Sequence, residues 1–155
     1  MCRTLNSTLN AGTRFALDYR DTHPQEWEDA VCDQIPDVLE QLEDALKKSE
    51  AILSEKFKAK GLTVGESIIK IALIQELIKR MTGIMECSAG MMLADGITKT
   101  NIARALSMRP QNLLERYPDI ENLADAQDRA DETGEPQEVQ LAKTNTVQVV
   151  TKRHS

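Results

Sequence analysis

The residues of this 155-residue chain best suited to catalysis or metal binding are two histidines, His23 and His154, and three cysteines, Cys2, Cys32 and Cys87. None stands at a useful spacing from another. There is no CxxC pair and no His/Cys cluster, so neither a zinc framework nor a disulfide scaffold is indicated. No GxxxxGK[ST] loop occurs, and no nucleophile has a histidine and a carboxylate at a recognisable spacing. Met85, Met91 and Met92 form a soft-ligand group, but methionines at helical spacing are the usual adaptable filling of a core. The expectation is a non-enzymatic protein with no cofactor and no metal. The informative polar groups lie between Gly96 and Leu123, in GITKTNIARALSMRPQNLLERYPDIENL. There Thr98, Lys99, Thr100 and Asn101 cluster at one helix start, and Arg109, Gln111 and Asn112 cluster at the next.

Charge singles out the same region. The net charge is −6 overall, but residues 61–118 hold seven bases against five acids. The flanking segments 1–60 and 119–155 are each acidic. A surface for a polyanion therefore belongs to the middle of the chain. With five aromatic residues in all, a β-sandwich or barrel is disfavoured. Abundant Leu, Ala, Glu and Lys point to helices packed on helices, an all-α fold.

The elements that must position this region follow from periodicity. Residues 1–35 read as an N-terminal arm with a short helix, broken at His23-Pro24. From Pro36 to Lys60, apolar residues recur at spacings of three and four: Val38, Leu39, Leu42, Ala45, Leu46, Ile52, Leu53 and Phe57. They make one broad stripe opposite a charged face. Gly61 is the natural stop. A second helix, about 64–81, is apolar over more than half its girth and needs cover on two sides. Together, residues 36–82 are expected to form an antiparallel helical hairpin for dimerisation. Gly83 marks a bend before a further helix over 84–94. Residues 83–132 form the next unit: that helix, a capped helix at about 99–106 with Thr98 as its N-cap, a helix at 110–117 with Pro110 at its first position, and an acidic helix over 119–132. Residues 133–155 read as a flexible tail. The longest apolar run, 68–78, is interrupted by charge and too short for a bilayer. No secretory h-region opens the chain, so reduced thiols and a cytoplasmic setting are expected, with no membrane partner.

The segment Gly96–Leu123 resembles the helix-turn-helix of bacterial DNA-binding proteins. Its front half, G-x-T-x-x-x-I-A-x-x-L at Gly96 to Leu106, is similar to the recombinase-type motif. Its back half, from Ile102-Ala103 through Leu113, Leu114, Tyr117, Pro118 and Glu121 to Leu123, resembles the TetR-type signature. Ser107 stands where that signature has a glycine, so a different backbone solution is expected at the turn. The resemblance covers the motif, about a quarter of the chain. It implies that the second helix enters the major groove of double-stranded DNA and presents its N-terminal residues to base edges. Arg109 then pairs with guanine, and Gln111 or Asn112 with adenine. Thr98, Lys99, Thr100 and Asn101 meet phosphate at the first helix start, while Arg104 and Arg116 touch the backbone from the sides. The implied protein is a small homodimeric transcription regulator of bacterial or phage type. Two alternatives stand beside it. One is a helical adaptor that binds another protein through the 64–81 face or the acidic 119–132 helix. The other is a DNA-associated subunit of a packaging or replication complex.

Overall fold

The structure is a computed structural model that describes residues 7–33, 35–142 and 146–152. It is mainly helical, with one small sheet. In order the elements are α1 (Ser7–Thr22), α2 (Pro24–Cys32), α3 (Ile35–Ala59), α4 (Glu66–Ala94), α5 (Lys99–Ala105), a 3-10 turn (Pro110–Asn112), α6 (Leu113–Arg116), α7 (Ile120–Thr133), β1 (Gln137–Gln140) and β2 (Thr146–Val149). Among the described residues, no helix is long and apolar enough to cross a membrane. The chain divides into two units. One contains the described residues up to Thr22 and from Met81 onward. The other is His23–Arg80. The chain between Met81 and Ala94 belongs to the same α-helix as Glu66–Arg80, so Gly83 neither ends nor restarts a helix. The expected break there does not occur.

The unit that includes the motif has a well-defined core. Ala89 and Leu93 of α4, Ile97, Ile102 and Ala103 of α5, Leu113, Tyr117, and Ile120 and Ala124 of α7 pack as one cluster, with Met92, Leu106 and Met108 at its edge. Burying these groups supplies the main drive for folding. Of the methionine group, Met92 fills the core edge, while Met85 and Met91 are exposed. Gly90 gives α7 its close approach to α4. A Cβ at that position would meet Leu123 Cβ at 2.5 Å and the Ile120 carbonyl at 3.3 Å.

Two segments depart from expectation. The N-terminal arm is largely the helix α1, and it is docked. Leu17 is buried, and α1 binds the loop before α5 and the end of α5 through Asn10 and Arg20. Its polar sequence hid this because the docking rests on hydrogen bonds more than on an apolar stripe. Where a flexible tail was expected, β1 and β2 pair antiparallel, with Val139 opposite Val147. Val139 and Leu141 are buried with Leu123 and Ala126 of α7 in a second cluster. The sheet is held by Asp131, which accepts from Lys152 N (2.8 Å) and Thr151 Oγ1 (3.1 Å), and by Asp119, which accepts from Ala142 N (2.6 Å). Residues 143–145 and 153–155 of the tail lie outside the described residues.

In the unit His23–Arg80 the helices form as periodicity predicts, but little is buried. α3 has no buried residue. Ile69 is the buried hydrophobic residue of this unit among the described residues.

Candidate nucleic-acid interface

The candidate site is built around α5, the turn after it and the short helical segment 110–116. Thr98 has extended backbone and caps α5, its side chain accepting from Asn101 N. Ile102 and Ala103 face the core, fully buried. The helix ends in a Schellman motif: Ser107 N donates to the Arg104 carbonyl and Met108 N to the Ala103 carbonyl. The same device closes α3 at Gly61 and α4 at Gly96. Ser107 takes φ +54°, the left-handed conformation in which those glycines are found. The turn therefore does not need a different backbone solution. It uses the glycine conformation with a serine, at the energetic cost a Cβ incurs there.

Arg109 is extended, and Pro110 opens the next turn with a 3-10 geometry closed by Asn112 N donating to the Arg109 carbonyl. The continuous helix expected over 110–117 is thus a 3-10 turn that passes into the single-turn α6. Leu113 and Tyr117 anchor it inside the core. The opposite side, Arg109, Gln111, Asn112, Glu115 and Arg116, is exposed. The Arg109 guanidinium makes no hydrogen bond or ion pair among the described residues. The Arg116 guanidinium lies 6.0 Å from the centre of the Tyr117 ring, a cation–π contact that steadies its stem.

The first helix start behaves differently from the sequence expectation. Asn10 of α1 occupies it. Its amide oxygen accepts from Thr98 N (3.0 Å) and from the Asn101 side chain (3.2 Å), and its amide nitrogen donates to the Gly96 carbonyl (2.7 Å). Asn101 is buried. Thr98 and Asn101 therefore serve the fold, and of the amides at this helix start those of Thr98 and Asn101 are already satisfied. Lys99 pairs with Glu121 at the start of α7. Thr100 remains exposed.

Arg104 is also committed. It pairs with Asp18 (2.7 Å) and with Asp21, whose Oδ2 accepts from Nε at 3.0 Å and from Nη2 at 2.6 Å. The hydrogen bonds from Arg104, joined by Arg20, hold the Asp21 carboxyl below its ordinary pKa. The same aspartates push the Arg104 guanidinium further up. Arg20 in turn donates to the Arg104 and Ala105 carbonyls, at 3.1 and 3.4 Å, capping the negative end of α5. Arg20, Arg104 and Arg109 line one open hollow. Two of the three are neutralised by α1, which leaves Arg109 as its uncommitted cation.

Sequence reading missed Asn10, Asp18, Asp21 and Glu86. The first three lie more than eighty residues from their partners, and no local pattern marks such a contact. Glu86 is fully buried in α4 and accepts the Asp119 N–H at 2.9 Å, tying down the start of α7. Its helical neighbours Met85 and Cys87 gave no sign of this. The Cys87 thiol is pushed up in pKa, by burial first and by Glu86 second, so it stays protonated near neutrality and is a poor nucleophile.

No protein-family model matches the chain, and comparison with curated proteins and with solved structures finds no match either.

Proposed function

We propose that this protein binds double-stranded DNA through the segment Arg109–Arg116 and acts as a small transcription regulator. The observation that carries the reading is the combination at this segment. Leu113 and Tyr117 are locked into the core, the left-handed turn at Ser107 fixes the angle of entry, and Arg109, Gln111 and Asn112 stand exposed at the leading end. That is the arrangement a recognition helix needs: a rigid back and a polar, donor-rich front. Arg109 is the guanine reader, through O6 and N7. Gln111 and Asn112 are the adenine readers. Arg116 and Thr100 contact phosphate from the flanks. Lys99, Arg104, Thr98 and Asn101 drop out of the direct interface because their groups are engaged within the protein.

So short a segment reads only a half-site. The regulator therefore works as a pair, with two such segments in successive major grooves about 34 Å apart. Selection of bound duplexes from a random pool tests the proposal. The expected result is an enriched inverted repeat. Arg109→Ala should relax base preference at one position of each half-site and weaken the selected duplex by about 1–3 kcal/mol. Equal binding to selected and random duplexes, unchanged by Arg109→Ala, overturns it.

A further inference from the structure

A cavity of about 140 Å³ lies between α4, α7 and β2. Cys87 and Met91, one turn apart on α4, form one wall. Leu123 and Gln127, one turn apart on α7, form a second. Val147 and Val149, on the same side of β2, form the third. The lining is mostly apolar, and its volume decides what it can take. Sites for cofactors and drug-sized ligands run from about 300 Å³ upward, so a molecule of that size does not fit inside. An apolar cavity of about 150 Å³ takes one benzene ring. Walls of this kind also hold water poorly, since a buried water makes about three hydrogen bonds.

One polar side chain in the wall is buried. Gln127 is 2% exposed. Its amide nitrogen is spent twice: Nε2 donates to Asp131 Oδ1 at 3.1 Å and to the Val150 carbonyl at 3.0 Å. Those two bonds fix the amide plane and use both of its N–H groups. The oxygen Oε1 accepts no hydrogen bond among the described residues. A buried acceptor without a donor is costly, and this one belongs to a side chain that faces an apolar space of one-ring size.

We propose that this cavity is a binding site for a small single-ring molecule carrying one hydrogen-bond donor, of the phenol class. The ring lies among Met91, Leu123, Val147 and Val149, and the hydroxyl donates to Gln127 Oε1. Both N–H groups of Gln127 being engaged, an occupant that offers only an acceptor finds no partner there. The occupant touches α4, α7 and the sheet together, so it binds the folded state alone and stabilises it in proportion to its concentration. The site shares no residue with Arg109–Arg116, and its test needs no DNA.

The test uses the full chain with Cys2→Ser and Cys32→Ser, which leaves Cys87 as the single thiol, and phenol as the probe. Phenol should shift the methyl resonances of Met91, Leu123, Val147 and Val149 saturably, slow the alkylation of Cys87 and raise the urea midpoint. Anisole, in which a methyl replaces the hydroxyl hydrogen, tests the donor without touching the protein. It should bind about tenfold more weakly, the net worth of one hydrogen bond. Gln127→Leu should cost phenol a similar factor relative to toluene. Val149→Phe fills the space and should abolish the shifts and the protection of Cys87, with circular dichroism unchanged. Shifts scattered away from these methyls, an unchanged rate of Cys87 alkylation at saturating phenol, or anisole binding as tightly as phenol each overturns the inference.

Discussion

Asp21 of α1 takes two hydrogen bonds from the Arg104 guanidinium across 83 residues of sequence. With Asp18 on the same guanidinium, the N-terminal helix removes a cation from the face that carries Arg109. A polyanion approaching that face meets a positive charge already matched by two carboxylates. Under the proposed DNA-binding reading, affinity would rest on fewer free cations, and base contacts would weigh more heavily than phosphate contacts in the total.

Releasing that cation is the first prediction. Asp18→Asn with Asp21→Asn should raise affinity for random duplex and steepen the salt dependence by about one unit, the signature of one more phosphate contact. Preference for the selected site over random duplex should fall. Titration at several salt concentrations measures it, and an unchanged slope would show that Arg104 does not reach the backbone when freed.

The turn offers a second. Ser107 holds φ +54°, where a Cβ costs roughly 1–2 kcal/mol and glycine loses about 0.5–1 kcal/mol of chain entropy. Ser107→Gly should therefore stabilise the protein, by up to about 1 kcal/mol in urea denaturation, leaving DNA selectivity intact. Ser107→Val, branched at Cβ, should destabilise it.

Packing of α4 on α7 supplies the third. Gly90→Ala places a methyl 2.5 Å from Leu123 Cβ and 3.3 Å from the Ile120 backbone. Neither is the far end of a flexible side chain, so the helices must separate. A loss of about 1–3 kcal/mol is expected, read as a lower urea midpoint. Leu123→Gly in the same chain removes the Cβ that obstructs, whereas Leu123→Ala keeps it, so the double variant with Leu123→Gly should lose less than the sum of its two single changes.

Acid should loosen the sheet from α7. Burial pushes the Asp131 carboxyl up, but hydrogen bonds from Lys152 N, Thr151 and Gln127 outweigh it, and the group ends below its ordinary pKa. A carboxyl lowered in the folded state adds stability that is complete above the unfolded value of about 3.9 and disappears as pH falls through the lower folded value. Amide exchange in β1 and β2 should therefore rise as the pH is taken from about 5 to about 2, once corrected for the intrinsic pH dependence of exchange. Asp131→Asn should flatten that dependence. A variant as pH-sensitive as the parent would move the effect to another carboxyl.

Periodicity and capping residues placed most of the helices, because an apolar stripe, a proline at a first turn and a glycine past a last turn are local signals. Thr98, Gly61, Gly96 and Gly134 all do what such residues do in isolation. Ile102 and Ala103, with Leu106 at the core edge, face inward as the same spacing requires. What the sequence by itself determined, then, is an α-rich chain with a capped, core-anchored segment ending in exposed Arg109, Gln111 and Asn112. Only the tertiary structure decided which polar groups remain available, because Asn10, Asp18 and Asp21 reach their partners through folding and leave no trace in local spacing. It also decided the fate of Gln137–Gln140 and Thr146–Val149. The weak alternation at Val147, Val149 and Val150 suggests at most one edge strand; the pair with Gln137–Gln140 forms where α7 offers Leu123 and Ala126 to cover it.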